Sequence, residues 1–540
     1  MFSFRFLAIV LFPIFSFSQN KFTVKDSLRG SNTIERAWWN VLKYDITIEP
    51  DYAYKCIKGK NTILFEIIGE QTKMQLDLQE PLTVDSAFVM DEKVDFVRDK
   101  DVFYIDFKKN ELKDPISYVT IYFSGKPKEA VEAPWDGGWI WGKDEKNRPW
   151  MTVSCQGLGA SSWIPCKDIQ SDEPDNGSLL TIICSDTLTA VSNGELIEEK
   201  VYKEGLKSST WMVSNPINNY NIIPYIGKYV HWGESYKGEN GMLSCDYWVL
   251  DYELEKSKKQ FTQVPKMLKC FEYWFGPYPF YSDGYKIVQA PYLGMEHQSG
   301  IAYGNKFENG YLGKSLSDSD WGMEWDFILV HESGHEWFGN SITSKDIADM
   351  WIHESFTNYA ETIFTDCEFG VQAGNEYEIG LRKLIENDVP IIGKYDVNNK
   401  GSDDMYYKGS NMLHIIRQVV NDDERFRQLL RGLNRNFSKK TVTTSEIEAY
   451  INKFTKIDFT KVFDQYLRTI KVPVLEYRLE NNQLLYHWTE CVPDFNLKIR
   501  LENGNWIEPT ESWKTLDQSS NKIVDFKPDN NFYIFVRKLE

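Results

Sequence analysis

Histidine is scarce in this chain, with seven in 540 residues, so any ordered pair of histidines carries information. Other shortages narrow the field first. The eight cysteines (Cys56, Cys155, Cys166, Cys184, Cys245, Cys270, Cys367 and Cys491) include no C-x-x-C pair, which leaves cysteine-based metal and dithiol redox motifs without a signature. Their spacing pairs none of them, and a chain of this length can build its core without disulfides. Beyond the N-terminus no run is long and apolar enough to span a bilayer. Excess positive charge is also lacking. With 61 basic and 79 acidic residues the net charge is −18, which makes nucleic acid and anionic membrane poor partners and favours solubility. No low-complexity tract or internal repeat interrupts the chain.

What is present is a globular composition, 42% hydrophobic and 26% charged, long enough for several domains with buried cores. Residues 1–18 read as a secretory leader. Arg5 gives the charged start, Phe6 to Phe15 the apolar core, and Ser16-Phe17-Ser18 a small-x-small cleavage site before Gln19. The apolar core is short for an anchor, and no cysteine follows the cleavage site to carry a lipid. The expected product is exported, periplasmic or extracellular, without an integral membrane anchor after cleavage. Removing Arg5 leaves 60 basic against 79 acidic residues, a net charge of −19.

From residue 19 to 228 the pattern is that of strands. Tyr44, Ile46 and Ile48 alternate with polar residues, Thr62 to Ile68 is β-rich, and Val102 to Phe107 and Tyr118 to Phe123 are aromatic and β-branched. This predicts a large antiparallel β-domain. Two stretches within it, Ser154 to Gly159 and Trp163 to Asp168, combine glycine or proline with polar residues; a close backbone approach and an ordinary turn both fit them. Residues 229–470 turn helical, with an apolar stripe of Met267, Leu268, Phe271 and Trp274 that stops at Gly276-Pro277. A capping box, Thr443-x-x-Glu446, opens a later helix. Residues 471–540 return to strands, with Phe495, Leu497, Ile499 and Leu501 alternating with polar residues. That module is small, so it is expected to resemble a β-sandwich packed on its neighbour. The fold class is multidomain α+β.

The chemistry lies in His331-Glu332-Ser333-Gly334-His335, with Glu354 nineteen residues after His335. On a helix, residues four apart share a face, so both imidazoles can aim at one tetrahedral zinc. Seven histidines in 540 residues give about 0.09 such pairs by chance, and an acidic neighbour lowers that below about 0.02. Glu332 lies off the ligand direction but near the metal's open side, the position of a general base for an attacking water. Trp321 to Phe338 reads as one helix, ended by Gly339-Asn340, and Met350 to Phe364 as a second. Joined by a short polar stretch, the two can lie antiparallel and return Glu354 as the third ligand. Glu361, two turns further on, can accept the second ring N–H of a ligating histidine; a solvated surface carboxylate is nearly as good a reading on spacing alone.

H-E-x-x-H with its downstream glutamate resembles the gluzincins. The wider set is similar to the zinc aminopeptidases typified by aminopeptidase N and leukotriene hydrolase. Trp337-Phe338-Gly339-Asn340 continues the metal helix as that family does. Leu293-Gly294-Met295-Glu296-His297 resembles its exopeptidase signature, Tyr406-x-Lys408-Gly409 its tyrosine motif, and Cys155-Gln156 its substrate-contacting segment. The resemblance spans roughly residues 40 to 470 and implies a saddle-like N-terminal β-domain, a thermolysin-like catalytic domain and a small β-domain. It further implies one zinc per chain on His331, His335 and Glu354, with Glu332 as general base and Tyr406 as oxyanion donor. Glu296 and Gln156 would hold the free amine of a peptide, with Gly294 and Met295 beside it. His297, His353 and Leu293 depart from the family pattern, and the C-terminal helical domain of many relatives is expected to be missing. The expected function is an aminopeptidase. A thermolysin-like endopeptidase would need the zinc set but no amine clamp, and a silent peptide-binding scaffold would not need the intact ligands.

Overall fold

The computed structural model describes residues 22–107, 112–480, 483–516 and 526–540; the leader read at residues 1–18 lies outside them. A short capped helix, α1 (Val24–Gly30), leads into an eight-stranded sheet. At its centre β1 (Trp39–Asp51) pairs antiparallel with Cys56–Ile67 on one side and parallel with β2 (Ser178–Ser185) on the other, in the register Tyr44↔Ser178 to Ile48↔Ile182. The antiparallel expectation therefore fails at this pair. Parallel neighbours require a long crossover, and the chain between Asp51 and Ser178 supplies one by building further strands and contributing to two smaller sheets. The alternation read at Tyr44, Ile46 and Ile48 follows burial, since all three are fully buried in the core beneath these sheets.

The second part of the chain begins with a five-stranded sheet in the order Tyr229–Gly238, Gly241–Leu250, β3 (Tyr285–Gln289), β5 (Ile301–Tyr303) and β4 (Gly294–Met295). Its strands β3 and β5 are buried on both faces because the sheet lies between two cores. Tyr285, Ile287, Ile301 and Tyr303 enter the core of the helical region, while Val288, Ala302 and Met295 enter the N-terminal core. Successive strand residues point to opposite faces, so this sheet joins the two parts and carries the 293–297 segment at its edge.

The helix expected over Trp321 to Phe338 is shorter. Residues Asp320–Met323 form a separate tight turn, and the helix proper is α2 (Phe327–Gly334), started by Asp326, whose carboxylate accepts from the Leu329 N–H at 3.2 Å. Past Gly334 the chain continues in tight turns as far as Phe338, and Gly339 has φ +129°. The next helix, α3 (Trp351–Phe369), runs five residues beyond the expected end and stops at Gly370. A disulfide, Cys270–Cys367, with Cα atoms 6.1 Å apart, ties α3 to the helix Val264–Phe275.

In the C-terminal module four strands pair in the order Lys514–Leu516, Gln483–Thr489, Val474–Glu480 and Phe535–Lys538, beside a ribbon of Ile499–Arg500 and Trp506–Ile507. Phe495, Leu497, Ile499 and Leu501 are all buried although only Ile499 lies in a strand. The alternation was a burial pattern, met here by an irregular extended segment. Those side chains are continuous with the core of the helical region, as expected of a module too small to stand alone. Among the described residues no helix is long and apolar enough to cross a membrane.

Candidate active site

His331 on α2 and His335 one turn later have ring centroids 5.0 Å apart. Glu354, in the first turn of α3, brings its Oε2 within 3.3 Å of His335 Nε2 and 3.7 Å of His331 Nε2. The two helices can approach this closely because Gly334 faces α3; a Cβ there would stand 3.2 Å from Ala360 and Thr357. Both outer ring nitrogens are engaged. His331 Nδ1 lies 2.7 Å from Glu361 Oε1, and His335 Nδ1 lies 3.0 Å from the Phe338 carbonyl. This leaves both Nε2 atoms facing Glu354, whose Oε2 is buried without a hydrogen-bond partner. Ligands about 2.1 Å from a tetrahedral centre stand roughly 3.4 Å from one another, so the donor set fits zinc in both spacing and type.

Glu361 is itself fixed, accepting from the Tyr377 hydroxyl at 2.6 Å and Asn358 Nδ2 at 2.8 Å. It is fully buried, which removes the solvated-surface alternative. Phe327 stacks on His331, with centroids 5.2 Å apart.

Glu332 is buried, in a cluster with His335 and Glu296. Burial pushes its carboxyl up to about 7, against the pull of His331 and His335. Gly294 lies against it; a Cβ at that position would stand 2.6 Å from Glu332 Oε1 and 2.7 Å from Ile328. A side chain here would displace Glu332 or Ile328, so glycine lets the extended strand pack closely against both. Met295, next along β4, pairs with Ala302 and is buried.

Glu296, Glu332 and His335 bring ligand-type atoms within 4.8 Å of one another, so the exopeptidase-like carboxylate belongs to the same cluster as the zinc set. Glu296 Oε1 accepts from Gln156 Nε2 and, at 3.0 Å, from the Tyr220 hydroxyl, while Asn340 Nδ2 donates to the Glu296 carbonyl at 2.7 Å. Burial raises the Glu296 carboxyl above the ordinary carboxylate range, with His335 opposing. Tyr406, half-buried at the start of α4 (Tyr407–Val420), stacks near His331 with centroids 6.2 Å apart. Burial first, then Glu354 and Glu296, holds its hydroxyl protonated well above the usual range.

Tyr220, Phe327, Tyr377 and Asn358 went unread in the sequence. Tyr220 sits in Asn218-Asn219-Tyr220-Asn221, a polar run without periodicity that gives no sign of its partner. The unusual histidines have structural partners. The Tyr225 hydroxyl donates to the Gly300 carbonyl at 2.7 Å, leaving it to accept from His297 Nδ1–H at 2.7 Å. His353 Nε2 accepts from the Ser344 N–H at 2.7 Å. Burial lowers both imidazoles to about 3, so they stay neutral.

Fold and donor set together define the gluzincin class of zinc metallopeptidases. The chain belongs to the M1 peptidase family: residues 252–466 match the Peptidase family M1 domain and residues 40–220 the Peptidase M1 N-terminal domain. It is 24% identical over 328 residues to leukotriene A-4 hydrolase of Xenopus laevis, covering 58% of this chain and 51% of that protein. It is 24% identical over 349 residues to aminopeptidase B of Mus musculus, covering 60% and 50%. The chain therefore spans about half the length of these relatives. Among solved structures, a mutant M1 zinc metallopeptidase from Deinococcus radiodurans bound to a Tyr-Ser-Ala substrate superposes with a TM-score of 0.67 at 18% identity, over 80% of this chain and 95% of that one. This likeness carries the fold.

Proposed function

We propose that this protein is an exported zinc aminopeptidase that releases N-terminal residues from peptides. The observation that carries the reading is the buried Glu296 carboxylate, held by Gln156 and Tyr220 inside the cluster that includes Glu332 and His335. A cation is needed to balance it, and a peptide's α-ammonium supplies one by charge-assisted hydrogen bonds. Zinc on His331, His335 and Glu354 would supply Lewis acidity, polarising a carbonyl and acidifying water to a pKa of about 7. Glu332 takes a proton from the attacking water and delivers it to the leaving amine. Tyr406 donates to the oxygen on which charge develops, and Glu361 holds the His331 ring in orientation. Export rests on the leader at residues 1–18.

An acetylated substrate leaves the Glu296 charge buried without a partner, which costs several kcal/mol. Free-amine substrates are expected to exceed acetylated ones in kcat/KM by orders of magnitude. Glu296→Ala should lower the free-amine value about 10–100-fold and shrink the ratio, since the uncompensated charge goes too. Steady-state kinetics on matched aminoacyl-amides, free and N-acetylated, check this; a ratio unchanged by the substitution contradicts the clamp.

A further inference from the structure

We infer that Arg29 is a positioning residue of the amine clamp, acting through the loop that carries Gln156; this rests on the aminopeptidase reading above. The Gln156 side chain reaches Glu296 from a tight turn closed by one backbone bond, Gly159 N–H to the Cys155 carbonyl at 2.6 Å. From α1, remote in sequence, the Arg29 guanidinium donates through Nη2 to the Gln156 carbonyl at 3.0 Å and through Nη1 to the Gly157 carbonyl. A planar fork suits two adjacent carbonyls, whereas an ammonium is a point charge on a longer leash.

The turn is built to admit this guanidinium. Gly159 has φ +103°, and a Cβ on it would stand 2.1 Å from Asp168 Oδ2 and 2.9 Å from Arg29 Nε. Asp168 lies 3.9 Å from Arg29 Nε, and its own N–H donates at 3.0 Å to Asp77, which pairs with the buried Arg36 at 2.6 Å. The two glycine- and proline-punctuated stretches of the sequence thus meet around one arginine.

The far side of α1 is also fixed. Asn398 N–H donates to the Asp26 carbonyl at 3.0 Å, and Gly30 is so close to Val397 that a Cβ would meet its backbone at 2.2 Å. The helix is therefore strapped between the N-terminal domain and a catalytic-domain loop. It walls a cavity of about 360 Å³ that is also lined by Gln156 and Tyr220, the two donors to Glu296. No residue of α1 is buried, so its contacts are spent on this junction and not on a core.

Arg29→Met frees the turn, and substrate binding must then reorder it. Ordering one such group costs about 0.5–1.5 kcal/mol, so KM for a free-amine aminoacyl-amide is expected to rise about two- to tenfold. A ground-state contact leaves kcat within about twofold. Arg29→Lys should give an intermediate KM, and it keeps the test decisive if the methionine variant folds poorly. In a double-mutant cycle, Arg29→Met combined with Gln156→Ala should bind no worse than Gln156→Ala alone, because the arginine acts only through that side chain. Additive losses, or an unchanged KM in Arg29→Met while Gln156→Ala raises it, overturn the inference and leave the clamp standing. If Gln156→Ala and Glu296→Ala both leave KM unchanged, the clamp itself falls and this inference with it.

Discussion

Glu332→Gln is expected to lose about 10²–10⁴ in turnover while retaining one zinc per chain. Glutamine has the same shape and so keeps the packing of this side chain against Gly294. It can still accept a hydrogen bond from water but cannot take the proton. Since Glu332 is not among the three residues that converge through Oε2 and the two Nε2 atoms, metal content should match the wild type. Glu354→Ala should behave oppositely and lose zinc, because it removes the oxygen that now lies buried without a partner between the histidines. Metal analysis and initial rates on the same preparations separate the two. Wild-type turnover in Glu332→Gln would refute the assignment of the base.

Tyr406→Phe is expected to lower kcat by about 10²–10³ with little change in KM. A hydrogen bond formed only as charge builds on the carbonyl oxygen contributes to rate and not to ground-state binding. The neighbouring tyrosine is the control. Tyr406 stacks near His331 and feels the Glu354 and Glu296 carboxylates, whereas the carboxylate felt most by Tyr407 is Glu361, on the outer side of the histidine pair. Tyr407→Phe should therefore retain most activity. A large loss in Tyr407→Phe with Tyr406→Phe nearly intact would exchange their roles.

The zinc set was legible because a helix turns a spacing of four into a shared face, and few histidines are present to produce such a pair by accident. Glu354 and Glu361 were legible for the same reason, one helix later. The clamp was harder. Glu296, Gln156 and Tyr220 meet from loops 76 and 140 residues apart in pairwise separation, and no local period encodes that meeting; resemblance pointed to the first two and to nothing at Tyr220. The parallel β1–β2 pair was invisible for a related reason, since alternation reports which face is buried but not which strand lies alongside. Helix α2 was read too long because apolar and aromatic residues continue on both sides of it, and the turns from His335 to Phe338 are as buried as the helix. Arg29 lies in a helix with no buried residue, where sequence gives no reason to look.

The central claim, removal of residues from a free N-terminus, is tested most directly by incubating the purified protein with one decapeptide in free and N-acetylated forms and following products by mass spectrometry. The account predicts a ladder of peptides shortened one residue at a time from the free form and an intact acetylated form. Internal fragments appearing equally from both forms would contradict it and make the protein a thermolysin-like endopeptidase.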